Sequence, residues 1–324
     1  MLRSCQPFPQ IVERSSTRNV LHRPSRGRAV ALIMIMFLSL VPLAHLKAQD
    51  LPALPSLNPS PSDVQLPGKF VWFDLATPAL GEAQGFYQDL FGWTYDSPGL
   101  TADEYVLVLN QGRPIAGMFR SEPPGGEQDG ATWLALLSVP DVEQAVASAR
   151  AAGGSVEVEP VTVPNRGRHA VLRDPADAVF GVLQSSSGDP VDEEVPIGGV
   201  FWVDLFARDA EAMAAFYGQL APYEVSDREI VEAGKGKLLN ASGMPRAGIV
   251  TVDEEANRSA WVPYIRVNDV QATLDKVVEG GGFVIVAPDP LILDGNLGVF
   301  VDPNGGVTGV VKWDYEAFTG ETGP

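Results

Sequence analysis

The sequence repeats itself, and that repeat constrains the fold more than any other feature. Phe70-Val-Trp-Phe-Asp-Leu-Ala76 returns as Val200-Phe-Trp-Val-Asp-Leu-Phe206, setting Trp72 over Trp202 and Asp74 over Asp204 at an offset of 130. The same offset carries Phe86-Tyr87 onto Phe216-Tyr217 and Leu90 onto Leu220. Further along, Trp133 matches Trp261, Asp141-Val142 matches Asp269-Val270, Gly153-Gly154 matches Gly281-Gly282 and Asp174-Pro175 matches Asp302-Pro303, all at an offset of 128. Self-similarity at a fixed period means one structural unit built twice. A chain of 324 residues has room for two such domains, at roughly 100–200 residues each. The matches place them at 68–184 and 198–313, joined by a small, polar, acidic linker at 185–197 and followed by a tail at 314–324.

Within each domain the pattern runs strand, helix and three short strands, twice over. Residues Phe70 to Ala76 alternate, with Trp72 and Asp74 on one face and Val71, Phe73 and Leu75 on the other, as a strand buried on both sides does. Thr77-Pro78 reads as a helix cap with proline in the first turn, and Ala83, Phe86 and Leu90 mark one helical face. Domain 2 repeats this with Asp209 as cap and Met213, Phe216, Tyr217 and Leu220 as the stripe. Asp141 caps a second helix whose Val142, Val146 and Ala149 face inward before Gly153-Gly154 ends it. Strands near 155–159, 168–173 and 179–184 complete the unit, with Asp174-Pro175 as turn chemistry.

The start of the chain belongs to neither domain. Six arginines against the single acid Glu13 precede an apolar run from Ala29 to Ala44, and small residues follow. Those 16 residues make about 24 Å of helix, short of a hydrocarbon core of roughly 30 Å. Residues 1–49 therefore read as a secretory signal, which makes the protein exported, periplasmic or extracellular; the alternatives are an uncleaved membrane anchor over 29–46 or an organelle transit peptide. Residues 50–67 carry five prolines and read as a stiff, extended tether.

Charge narrows the partners. The net charge is −18 overall. Without residues 1–49 the chain loses seven of 23 bases and one of 41 acids, leaving 16 against 40 and a net charge of −24. Nucleic acid is excluded as a partner, because neutralising phosphates takes clustered Lys and Arg. Only His169 would remain of the histidines, and no cysteine, so neither a two-histidine metal site nor a thiolate cluster can be assembled.

Several segments, in order, resemble the vicinal oxygen chelate superfamily of glyoxalases, bleomycin-resistance proteins and extradiol dioxygenases. They are Phe70-Val-Trp-Phe-Asp-Leu, Phe86-Tyr-Gln-Asp-Leu-Phe-Gly-Trp93, Pro114-Ile-Ala-Gly117, Val139-Pro-Asp-Val142, Asp174-Pro-Ala-Asp-Ala-Val-Phe-Gly181 and their second copies. The resemblance spans nearly all of 68–313. It implies an α+β fold of tandem glyoxalase-like domains: four βαβββ modules paired into two curved mixed sheets, with helices on the convex side and a ligand cup on the concave side. Two cups close within one chain, so a monomer suffices. Metal-using members of that superfamily place His, Gln or Glu on the first strand of each module and a Glu on the last. Those positions fall here on Trp72 and Trp202, and on Gly181 and Gly309, while the strands near Trp133-Leu134 and Trp261-Val262 also lack a donor. No cofactor is expected, with a divalent metal on carboxylates alone as the minor alternative.

The candidate cup-lining residues are Trp72, Asp74, Trp133, Trp202, Asp204 and Trp261. The tryptophans could stack on a flat ligand, or serve only as packing. Asp74 and Asp204 could meet a cationic group or act as general bases, or be structural carboxylates held by neighbouring backbone or an arginine. Arg166 and Arg168 form a basic pair found in domain 1 only, able to attract an anion, and His169 aligns with Leu297, which favours a structural role. The resulting expectation is an exported protein that binds a small organic molecule in one or both cups without a metal. The alternatives are a lyase or dioxygenase of the superfamily and a non-catalytic scaffold.

Overall fold

In a computed structural model, residues 54–97, 105–121, 130–230, 234–252 and 259–315 are described. The apolar run at 29–44 lies outside them. Among the described residues no helix is long and apolar enough to cross a membrane.

The order strand, helix, three strands holds four times. Module 1 is β1 (Phe70–Thr77), α1 (Leu80–Phe91), β2 (Thr94–Asp96), β3 (Tyr105–Asn110) and β4 (Arg113–Arg120). Module 2 is β5 (Thr132–Ser138), α2 (Val142–Ala151), β6 (Ser155–Val163), β7 (Gly167–Arg173) and β8 (Val179–Ser185). Module 3 comprises β9 (Val200–Ala207), α3 (Ala210–Tyr217), β10 (Glu224–Ile230), β11 (Gly234–Ala241) and β12 (Met244–Thr251). Module 4 comprises β13 (Ala260–Arg266), α4 (Val270–Glu279), β14 (Phe283–Val286), β15 (Leu297–Val301) and β16 (Val307–Val311). Each domain is one mixed eight-stranded sheet, ordered β2-β3-β4-β1-β5-β8-β7-β6 in the first and β10-β11-β12-β9-β13-β16-β15-β14 in the second. The first strands of the two modules pair antiparallel at the centre, and each pairs parallel with the last strand of its own module.

Local chemistry sets the helices. Asp141, Asp209 and Asp269 each cap by accepting a backbone N–H three residues on, at 2.8–2.9 Å. Thr77 does not cap α1. It is the last residue of β1, its hydroxyl accepts the Ala79 N–H at 3.3 Å, and the helix opens at Leu80 without a side-chain cap. Val71 also departs from simple alternation: a register shift between Phe70 and Trp72 turns it to the same side as Trp72.

One continuous core lies between the two sheets. Leu75, Phe86, Tyr87 and Trp133 of domain 1 pack in it with Leu205, Phe216, Trp261 and Phe300 of domain 2. The rings interleave across the domains: Phe86 lies 6.1 Å from Phe300, and Phe180 meets Phe216 edge-on at 6.1 Å. Burying four helices between sheets leaves the opposite sheet faces as two separate apolar surfaces, which are the cups.

The flanking segments are docked on this frame. From Leu54 the proline-rich stretch forms neither helix nor strand, bends at 57–60, and is tied along domain 1. Leu54 N–H bonds Pro164 O at 3.2 Å, the Asn58 amide reaches Ser187 O and Gly188 O, and Leu66 N–H bonds the buried Asp189 carboxylate. The acidic linker is likewise anchored, with Asp192 paired to Lys69 at 3.0 Å and to Arg246 at 2.6 Å, one from each domain.

Candidate functional site: two cups

At the centre of each cup three residues stand abreast on neighbouring strands. In domain 1, Trp72 of β1 is opposite Leu136 of β5, which is beside Gly181 of β8. In domain 2, Trp202 of β9 is opposite Tyr264 of β13, which is beside Gly309 of β16. Both glycines are filled from next door: a Cβ on Gly181 would meet the Leu136 side chain at 2.8 Å, and one on Gly309 would fall inside the Tyr264 ring. A carboxylate on the last strand has no room in either cup. These six residues offer a divalent ion no imidazole or carboxylate, so they do not fit the metal that the fold family implies. No cluster of three His, Cys, Asp or Glu side chains able to hold an ion occurs among the described residues.

Asp74 and Asp204 project beside the tryptophans, because residues two apart share a strand face. Asp74 Oδ1 accepts from Trp72 Nε1 at 2.8 Å and from the Tyr105 hydroxyl at 2.9 Å. Asp204 Oδ1 accepts from Trp202 Nε1 at 2.7 Å and from Arg228 Nη1 at 2.7 Å. The partners differ because β3 and β11 differ. Tyr105 lies two residues before Leu107, the register partner of Gly117. The residue two before Leu238, partner of Gly248, is Gly236. Arg228 sits opposite Gly236 on β10 and reaches the carboxylate through the space that a tyrosine fills in domain 1. In both domains a strand glycine makes this possible. A Cβ on Gly117 would overlap Tyr105 Oη and Asp74 Oδ1, and one on Gly248 would overlap Arg228 Nη1 and Asp204 Oδ1.

The electrostatics of the cups differ as a result. In cup 2, Asp204 and Arg228 neutralise each other in direct contact. In cup 1, burial pushes the Asp74 carboxyl above its ordinary range, with the Arg166 charge and the bonds from Trp72 and Tyr105 pulling the other way. Burial, and then the Asp74 charge, pushes the Tyr105 phenol well up. The Arg166 guanidinium is stacked 4.0 Å from the Trp72 ring centre and its pKa is lowered by burial, with Tyr105 and Asp74 opposing that shift. His169, on β7, is depressed to about 4 by burial and by the charges of Arg166 and Arg168.

Trp133 and Trp261 do not line the cups. Trp133 stands opposite Leu75, and Trp261 opposite Leu205, and these pairs point into the core between the sheets. Each indole makes a buried polar bond there. Trp133 Nε1 donates to Thr308 Oγ1 at 2.9 Å, and Trp261 Nε1 to the Tyr217 hydroxyl at 2.8 Å. The Asp-Pro turns end in the same place. Asp174 accepts Ala176 and Ala178 N–H groups on Oδ1 and the Tyr217 hydroxyl on Oδ2; Asp302 does likewise with Asn304, Gly306 and Tyr87. Each Phe-Tyr pair is thus core, and its tyrosine also bonds the turn of the opposite domain. Cup 1 carries a further feature that the sequence did not reveal: Leu54 and Leu57 pack on its apolar wall.

Residues 69–181 match the family model of the glyoxalase/bleomycin resistance protein/dioxygenase superfamily, and residues 201–311 match that of a glyoxalase-like domain. Over 244 residues the chain is 27% identical to "Putative glyoxylase CFP32" of Mycobacterium tuberculosis, covering 74% of this chain and 93% of that protein. It is 29% identical over 264 residues to the anthracycline biosynthesis protein DnrV of Streptomyces peucetius, covering 76% and 94%. Among solved structures, the Mn(II)-bound glyoxalase from Novosphingobium aromaticivorans superposes with a TM-score of 0.51 at 16% identity, covering 77% of this chain and 83% of that one, which speaks to fold alone. Repeat, topology and family matches agree, and the chain belongs to the glyoxalase/bleomycin resistance protein/dioxygenase superfamily as a tandem two-domain member.

Proposed function

We propose that this protein binds a small organic molecule in a cup of the superfamily fold without the superfamily's metal, and that it does so after export. The observation that carries the reading is the pair of central triplets, Trp72–Leu136–Gly181 and Trp202–Tyr264–Gly309. Where a metal chemistry needs nitrogen and oxygen donors around an open coordination position, these cups present an indole, an aliphatic or phenolic side chain and bare backbone. What remains is an apolar wall with a buried hydrogen-bonded carboxylate, the composition of a binding pocket. Asp74 and Asp204 act here as fixed parts of that wall. The basic start and short apolar run support export.

Metal content measured by mass spectrometry, after incubating the chelator-free protein with Mn²⁺, Fe²⁺, Ni²⁺ and Zn²⁺, tests the reading. Retention far below one ion per chain is expected. Near-stoichiometric retention of one ion would overturn it in favour of a metal-dependent lyase or dioxygenase. Export is tested separately, by N-terminal sequencing of the protein recovered outside the cytoplasm of its host.

A further inference from the structure

Arg166 is the one charged side chain in cup 1 whose placement the fold does not explain. It is 1% exposed, and none of Nε, Nη1 and Nη2 has a hydrogen-bond partner among the described residues. It stacks on the Trp72 ring at 4.0 Å, with Asp74, Tyr105 and His169 near enough to be felt electrostatically. A guanidinium normally avoids such a position, since burying it without partners is strongly unfavourable. The chain nevertheless builds a turn to put it there. Asn165 and Gly167 both adopt positive φ, at 64° and 129°, and Arg166 N–H closes the turn on Val163 O. A Cβ on Gly167 would run into the Gln184 carbonyl of β8, so glycine is what lets the hairpin tip curl inward. The fold itself does not demand a cation. At the matching hairpin of domain 2 the residues are Leu293-Asp294-Gly295, and Leu293 rests on the wall of cup 2.

We propose that cup 1 binds an amphipathic monocarboxylate, with Arg166 as the receptor for the carboxylate and the wall beneath Leu54 and Leu57 as the seat of the apolar body. This rests on the reading of the cups as metal-free binding sites and names the ligand class for one of them. The planar guanidinium presents parallel N–H groups that match a carboxylate in two simultaneous bonds. A single negative charge is favoured over a doubly charged group such as phosphate, because Asp74 already stands in the same cup. The apolar body is called for by Leu107, Leu134, Leu136, Val171 and Leu183, which form the surrounding surface. Leu54 and Leu57 now occupy that surface as part of a segment without helix or strand, tied by the Leu54–Pro164 bond and the Asn58 amide. The segment behaves as a self-plug that the ligand displaces.

The test is calorimetric titration of the full chain with 4-butylbenzoate and with its neutral isostere 4-butylbenzamide. The acid is expected to bind one per chain and at least about 10-fold more tightly than the amide. Arg166→Gln should weaken the acid by about 10- to 100-fold while leaving the amide unchanged. The guanidinium has no hydrogen-bond partner to lose and its burial opposes its charge, so losing the stack on Trp72 and the attraction to Asp74 should lower the melting temperature only slightly. Leu54→Ser/Leu57→Ser should bind the acid several-fold more tightly by releasing the plug. Equal binding of acid and amide, or undiminished acid binding by Arg166→Gln, would overturn the proposal while leaving the metal-free cup in place. So would failure of both compounds to bind parent and plug variant alike, whereas only retained metal refutes the cup reading itself.

Discussion

The two buried tyrosines invite an unequal comparison. Tyr217 donates to Asp174 Oδ2 at 2.9 Å and accepts from Trp261 Nε1 at 2.8 Å, so among the described residues its hydroxyl is the acceptor of that indole. Tyr87 donates to Asp302 Oδ2 at 2.9 Å and shares a 3.0 Å bond with Thr308, which also accepts from the Trp133 indole at 2.9 Å. Tyr217→Phe therefore removes a bond to a carboxylate, costing about 1.5–3 kcal/mol, and strands a buried N–H, costing about 1–3 kcal/mol more. Tyr87→Phe removes a bond to a carboxylate too, and with it the bond from the Thr308 hydroxyl, but that hydroxyl can rotate to another acceptor and still receives the indole, so the further loss is about 0.5–1.5 kcal/mol. Both rings stay packed in the same core, so neither substitution opens a cavity. Urea unfolding followed by tryptophan fluorescence at pH 7 measures the two losses. Tyr217→Phe should shift the midpoint further, and an Asp174→Asn/Tyr217→Phe cycle should show coupling of about 1 kcal/mol or more. Equal losses, a reversed order, or a Tyr217→Phe effect below about 1 kcal/mol would show that these bonds do not hold the domains together as argued.

Three further outcomes follow from the cups. Gly117→Ala should cost about 1–3 kcal/mol in chemical denaturation, since the new methyl overlaps Tyr105 and Asp74; Gly248→Ala should cost as much through Arg228 and Asp204. Asp204→Asn replaces the charge in direct contact with Arg228 by a neutral amide and should cost about 1.5–3 kcal/mol, while Asp74→Asn removes a carboxyl whose charged form burial already disfavours and should cost less than half as much. His169, held near 4 in the fold against 6.5 when free, is protonated first in the unfolded chain. Its contribution is therefore complete above pH 6.5 and is lost as pH falls toward 4, by roughly 3 kcal/mol at most. The raised carboxyls Asp74, Asp174 and Asp302 act with the opposite sign, gaining stability as pH falls, so the measurement is the difference between the parent and His169→Leu across pH 4–7. A constant difference would show that His169 does not titrate as described.

What the sequence made legible is what the repeat and short-range chemistry determine. Two copies of one pattern gave the modules and their order, and aspartates before helical stripes gave two of the caps, Asp141 and Asp209; Asp269, the repeat match of Asp141, caps as well. Contacts that depend on strand phase were harder. Trp133 and Trp72 look alike as strand tryptophans, but only the pairing of Trp133 with Leu75, rather than with Asp74, turns it away from the cup. The cross-domain bonds were invisible for a related reason. Tyr87 and Asp302 are 215 residues apart, and each has a sufficient local explanation, as helix core and as turn, that hides the second role. Arg166 and Arg168 announced a basic pair. Which of them turns inward is set by the positive φ at Asn165 and Gly167, while Arg168 pairs with Glu143 at the surface.

The duplication also explains why the two cups should not be expected to work alike. Both discard the donor positions, and both keep a tryptophan-anchored aspartate over a strand glycine. From there they diverge at a few positions. In domain 2 the loss of a tyrosine at Gly236 admits Arg228, Tyr264 fills the space above Gly309, and Leu293 caps the wall, leaving charge paired and volume taken. In domain 1 the tyrosine stays, the cation arrives instead from the β6–β7 turn, and it stops short of the carboxylate. A buried ion pair closed by direct contact gains little from a ligand, because its electrostatic needs are met within the chain. A buried guanidinium without hydrogen-bond partners gains more, the more so for being placed before the ligand arrives. Occupancy by a charged ligand should accordingly be confined to cup 1, at one molecule per chain, with the Leu54–Leu57 segment rather than domain 2 controlling access to it.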